Sequence, residues 1–157
     1  MQPSKRVNIV SVKLVKKSSM LYRNRRIRSP QDIAELFREY LGEVDRKHFI
    51  VACLNTKNQS TNISTVHIGS INASIVHPEE VMKTTILSNA ASILCCHPHP
   101  SGYPIPSSED IEVTERIFAV GKIIGSDVII FLGEMSFLLM HILYKIEFLC
   151  RNSVINI

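Results

Sequence analysis

The chain has no tryptophan, and aromatic residues make up only 6% of its 157 positions. A protein that stacks bases on an aromatic array is therefore not what this composition describes. Cysteine is also sparse. Cys53, Cys95, Cys96 and Cys150 form no C-x-x-C pair, so a redox dithiol or a paired-cysteine zinc module is excluded and no disulfide is expected. No basic-apolar-small leader opens the chain, and the expectation is a cytoplasmic protein. A long apolar span is missing too. Met135 to Cys150 is very apolar, but Glu134, His141, Lys145 and Glu147 break up the run of about 20 residues that a bilayer needs. It reads as a core helix or strand, with no membrane partner.

Acid is absent from residues 1–28, which hold nine of the eighteen Lys and Arg. The remainder carries nine basic against fourteen acidic residues, so the net charge of +4 averages two unlike parts. Residues 1–28 read as a basic arm. Such an arm is a solvated terminus or a holder of nucleic acid or an acidic partner, and charge alone does not choose. No helix-turn-helix or zinc-finger pattern accompanies it.

What remains suits one α/β or α+β domain, since 45% apolar and 20% charged is an ordinary globular balance. Val7 to Val15 alternate loosely, as an edge strand would. Ser29-Pro30-Gln31-Asp32 is a helix start, with Ser at the N-cap, Pro at the first helical position and an acid three residues after the cap. Ile33, Leu36, Phe37, Tyr40 and Leu41 mark the helix's apolar face. His48 to Leu54 is a short apolar strand, Asn55 to Asn58 a turn, and Asn62 to Ile68 the return strand of a hairpin. Pro78 and Glu79 open a helix with Val81, Met82, Ile86, Leu87 and Ala90 on its apolar period. Ala91 to Cys96 is a buried strand leading to His97. A further helix is expected over about Glu109 to Ile123, with Ile111, Ile117, Phe118 and Ile124 on one side, and a buried strand over Val128 to Leu132.

The chemistry concentrates between Cys96 and Asp110. On an extended stretch, residues two apart project to the same side, so His97 and His99 can offer two imidazoles to one ion. A loop rich in Pro and Gly follows, and Asp110 stands in the first turn of the next helix. Two nitrogens and one oxygen leave a fourth tetrahedral position for water, the open site that catalysis requires. Ser107 and Asp110 alone are an ordinary S-x-x-D capping box, and His77-Pro78 an ordinary helix entrance. It is the combination that points to a metal. Mixed imidazole and carboxylate donors suit one zinc ion better than magnesium or calcium.

The spacing H-x-H, seven residues, S-x-x-D resembles the JAMM motif of the MPN metallopeptidases, matched by His97, His99, Ser107 and Asp110. Leu54 to Asn58, Gly69 to Pro78 and His99 to Gly102 resemble more narrowly the bacterial RadC family, over about Ser29 to Asp127. The resemblance implies a JAB/MPN fold like that of cytidine deaminases, with a mixed sheet flanked by helices and the zinc site at a strand end and the following helix start. It implies zinc, assignment to the metallopeptidases with the peptide or protein substrate left unknown, and Ser107 as a hydrogen-bond donor to the transition state. The domain would run over 26–148, with an atypical apolar tail from about 128 to 157.

Three departures qualify that resemblance. Lys47 stands where the family carries the glutamate that serves as general base, and a lysine cannot accept that proton. A hydrolase of this descent would then be weak or inactive, or a metal-stabilised peptide-binding module. Pro98 replaces an Asn between the histidines, removing a side-chain hydrogen bonder and a backbone donor. After Asp127 the family's His and Gly-containing hairpin are not recognisable, as a shifted reading frame or decay would produce.

Overall fold

The computed structural model describes residues 4–42, 46–69, 76–98 and 107–133, with residues 131–133 described through their backbone alone. Helix α1 (Pro30–Leu41) is followed by strands β1 (Lys47–Leu54) and β2 (Ser60–Gly69), helix α2 (Pro78–Leu87), strand β3 (Ser92–Pro98), helix α3 (Ser108–Ile124) and strand β4 (Asp127–Gly133). The sheet order is β2-β1-β3-β4. β1 runs antiparallel to both β2 and β3, while β3 and β4 are parallel and joined through α3. This is the expected mixed sheet with helices on both faces.

Strand alternation divides the core in two. Ile50, Ala52, Leu54, Leu94 and Cys96 point to one face, where they meet Ile33, Leu36 and Phe37 of α1. Phe49, Val51, Cys53, Ile93 and Cys95 point to the other, against Val81 and Met82 of α2 and Ile117 of α3. Full burial of a side chain such as Phe37 contributes about 1.5–3 kcal/mol, which is why α1 holds its place on its own face. β3, buried along its whole length, is an inner strand of the sheet. Hydrogen bonds from Ala91 to Leu54 and from Asp127 to Ala91, with the Ser126 hydroxyl on the Ala90 carbonyl, tie the strand ends together.

The hairpin turn follows from asparagine. Asn58 adopts φ 57°, and the Asn55 side chain accepts from the backbone N–H groups of Lys57 and Gln59 at 2.9 and 3.0 Å. At the other end of the fold Gly121 allows α3 to lie close on β4, since a Cβ there would stand 2.5 Å from Val128 Cγ2 and 2.9 Å from the Ser126 carbonyl. Gly125 then ends the helix in the left-handed region at φ 74°.

Three expectations are corrected. Val7 to Val15 form no strand: Val7, Ile9, Val10, Val12 and Val15 are all largely exposed, so the alternation finds no partner strand. On α2, Thr85 is buried in place of Ile86, which is 57% exposed; the Thr85 hydroxyl is satisfied by the Val81 carbonyl at 3.0 Å. The basic segment is not solvated to its end. Ile27 is buried and its N–H donates to the Asn58 carbonyl, while Asn24 donates to Asp32 and Glu35. Residues 134–157, with the expected core element at Met135 to Cys150, lie outside the described residues. Among those described, no helix is long and apolar enough to cross a membrane.

Candidate metal centre

His97 is the sixth residue of β3, inside the strand rather than just beyond it, and is 3% exposed. Its parity with Ile93 and Cys95 puts it on the sheet face that carries α3. The Phe49 ring packs beside the imidazole, with centroids 6.0 Å apart and planes tilted by 52°. That contact was missed from sequence, since strand alternation points to it only once the β1–β3 register is known. Pro98 can follow as the last residue of the strand because the β1–β3 pairing already ends at Cys96, where no further N–H is called for.

The start of α3 supplies the second group. Ser107 is the N-cap, with extended backbone at φ −72°, ψ 168°. Its hydroxyl accepts from the Asp110 N–H at 3.2 Å and donates to Asp110 Oδ2 at 2.8 Å, and its own N–H reaches the same Oδ2 at 2.8 Å. With Oδ2 held, Oδ1 turns toward β3 and stands 3.6 Å from His97 Nε2. That gap is too long for a hydrogen bond between the two atoms. Donors each about 2.1 Å from one zinc ion at a tetrahedral angle stand roughly 3.4 Å apart, so the pair fits a shared metal. Both side chains are largely withdrawn from water, at 4% and 12% exposure. An imidazole nitrogen beside a carboxylate oxygen is a donor set that suits zinc.

Of the sequence-predicted residues, the structure brings His97, Ser107 and Asp110 together, and His99 lies outside the described residues. Lys47, the first residue of β1, is half-buried and pairs with Gly69 of β2. Alternation through Phe49, Val51 and Cys53 places Lys47 on the His97 face of the sheet. Cys95 and Cys96 are core residues, as expected, and burial pushes both thiols far up, which leaves them inert. His77 caps the entrance to α2 without a side-chain hydrogen bond. Glu109, fully exposed in the first turn of α3, has its carboxyl held below the ordinary glutamate value by its own backbone N–H and by the Ser107 and Ser108 hydroxyls.

Comparison with known proteins bears on this geometry. A family model described as the RadC-like JAB domain matches residues 27–137. The match passes Asp127, where the sequence-based likeness was expected to stop, in keeping with the pairing of β4 to β3. A UPF0758 protein of Bacillus cereus is 50% identical over 119 residues, covering 74% of this chain and 53% of the relative. A UPF0758 protein of Geobacillus is 45% identical over 133 residues, covering 82% and 59%. One of Bacillus mycoides is 50% identical over 119 residues. The chain thus spans a little over half the length of these curated relatives.

Proposed function

This chain belongs to the RadC-like JAB domain family, and on that premise we propose that it is a single-zinc, metallopeptidase-type hydrolase by descent, with turnover weak or absent because of Lys47. The observation that carries the reading is the 3.6 Å approach of His97 Nε2 to Asp110 Oδ1, with Ser107 fixing the other carboxylate oxygen. His97, His99 and Asp110 would hold the ion, and zinc supplies Lewis-acid polarisation and a water acidified toward neutrality. The chain's own residues set the rest. Ser107 orients Asp110 through Oδ2, and the role that the resemblance gives its hydroxyl, donation to the oxyanion that develops on a scissile carbonyl, requires its single proton to turn from Oδ2 while the Ser107 N–H keeps that oxygen in place. Phe49 walls one side of the imidazole against water.

The missing element is a proton acceptor. Lys47 occupies the expected position of the general base, on the correct face of the sheet, but its ammonium has no lone pair to accept a proton. Loss of a general base lowers rate by about 10² to 10⁴. The test is zinc content of the purified chain, followed by hydrolysis of general peptide and isopeptide substrates by the native chain and by Lys47→Glu, with His97→Ala as the metal-free control. One zinc per chain, and activity that rises about 10² to 10⁴ in Lys47→Glu, is expected. Full activity in the native chain would mean that another group is the base. No zinc in either chain would overturn the reading of the site.

A further inference from the structure

The charge at Lys47 does more than remove a base. With zinc in place, a dication opposed by one ligating carboxylate leaves the site net positive, which a glutamate at position 47 would offset. Lys47 adds to it instead. Lys47 lies two residues before Phe49 on the same side of β1, about 7 Å along the strand, and the Phe49 ring is already packed on His97. Its cross-strand partner on β2 is Gly69, which has no side chain to cover the lysine from that side. Lys47 is half-buried, as suits a side chain whose apolar stem is covered while its charged end keeps to the water-facing side.

Resting on the zinc reading above, we propose that Lys47 makes this site a receptor for a peptide's terminal carboxylate, the zinc taking one oxygen and the lysine ammonium the other. A peptide hydrolase of this kind already accommodates the acyl half of its substrate beside the metal, and that half carries a new carboxylate after cleavage. A glutamate at position 47 would repel that carboxylate and promote its release. A lysine retains it. The ligand class is therefore an unstructured peptide ending in a free α-carboxylate, bound and not cut.

The test uses the zinc-loaded full chain, with calorimetric titration of an N-acetylated oligoalanine peptide bearing a free C-terminus and of the same peptide as its C-terminal amide. The acid should bind roughly 10- to 100-fold more tightly than the amide, as one charge-assisted hydrogen bond and a metal contact warrant. Lys47→Arg should keep the preference and Lys47→Glu abolish it, while both retain zinc. Sodium acetate as competitor separates the two sources of carboxylate: displacement of the peptide only at far higher acetate concentration supports a peptide receptor, and displacement at equal concentration overturns it. Stoichiometric zinc with equal affinity for acid and amide, or a preference that survives in Lys47→Glu, would overturn the receptor and leave the zinc site standing. Absence of zinc would overturn the site reading and the receptor with it.

Discussion

The helices α1 and α3 begin with the same four-residue device and put it to different uses. Ser29 and Asp32 form a reciprocal capping box at α1, and Ser107 and Asp110 form one at α3. At α1 both carboxylate oxygens are engaged by the segment just before the helix: Oδ2 accepts from the N–H groups of Arg28 and Ser29 at 2.8 and 3.2 Å, and Oδ1 from the Asn24 amide at 3.0 Å. At α3 the N–H and hydroxyl of Ser107 hold Oδ2, and Oδ1 faces an imidazole from another strand. The local motif therefore fixes a carboxylate's orientation but not its purpose. Purpose comes from what the fold brings to the second oxygen, an asparagine in one case and His97 in the other.

The sharpest way to break this comparison is to neutralise each acid in turn. Asp110→Asn should lower zinc affinity by more than about 100-fold, beyond the roughly 10- to 100-fold typical of an outer-shell partner, because a ligand itself is lost. Asp32→Asn should leave zinc affinity unchanged. Competition with a chromophoric chelator measures both, and equal losses would mean that the two boxes do not differ in function.

The comparison also explains what was legible beforehand. Ser29 to Asp32 as a helix start, His48 to Leu54 as a strand and the H-x-H to S-x-x-D spacing are local patterns, and local patterns survive without knowledge of the fold. Val7 to Val15 alternate as locally as any strand, yet a strand exists only when another edge accepts its hydrogen bonds, and nothing in nine residues specifies that edge. The anchoring of Asn24 on Glu35 was invisible for the same reason, since it spans eleven residues between unlike elements. The β3 boundary moved from Cys96 to Pro98 because the parallel pairing with β4 reaches Pro98 opposite Gly133, and that pairing is non-local. His97 thereby sits within a rigid inner strand rather than just past the strand end expected from sequence, a firmer platform for a ligand.

A gentler probe removes the serines. Ser107→Ala should weaken zinc by roughly 10- to 100-fold, because the hydroxyl that orients Asp110 is gone, and should also lower stability by about 1 kcal/mol through the lost cap. Ser29→Ala should reproduce only the second effect, about 1 kcal/mol in chemical denaturation, with zinc affinity intact. A zinc deficit in Ser29→Ala would show that the two helix starts are coupled through the sheet. Gly121→Ala lies between these cases. Its Cβ would collide with Val128 and the Ser126 carbonyl, so about 1–3 kcal/mol of stability should be lost as α3 is pushed off β4.

The smallest expected difference lies at the second helical position, where α1 has Gln31 and α3 has Glu109. Glu109 is fully exposed, and its carboxyl is held below the ordinary value of 4.5 first by its own backbone N–H and then by the Ser107 and Ser108 hydroxyls, against repulsion from Asp110. A depressed folded-state pKa means that the group's contribution is fully present above 4.5 and is lost as pH falls below that value toward the folded pKa. The charge also sits at the positive end of the α3 dipole, where an anion is favoured. In metal-free protein, so that zinc release does not intrude, Glu109→Gln should therefore flatten the acid limb of a urea-midpoint profile slightly, and only below pH 4.5. Added salt should shrink the difference, as it does for any exposed charge. Coincident profiles at low ionic strength would mean that Glu109 serves α3 no better than the neutral Gln31 serves α1, and the electrostatic part of the contrast between the two caps would reduce to Asp110 alone.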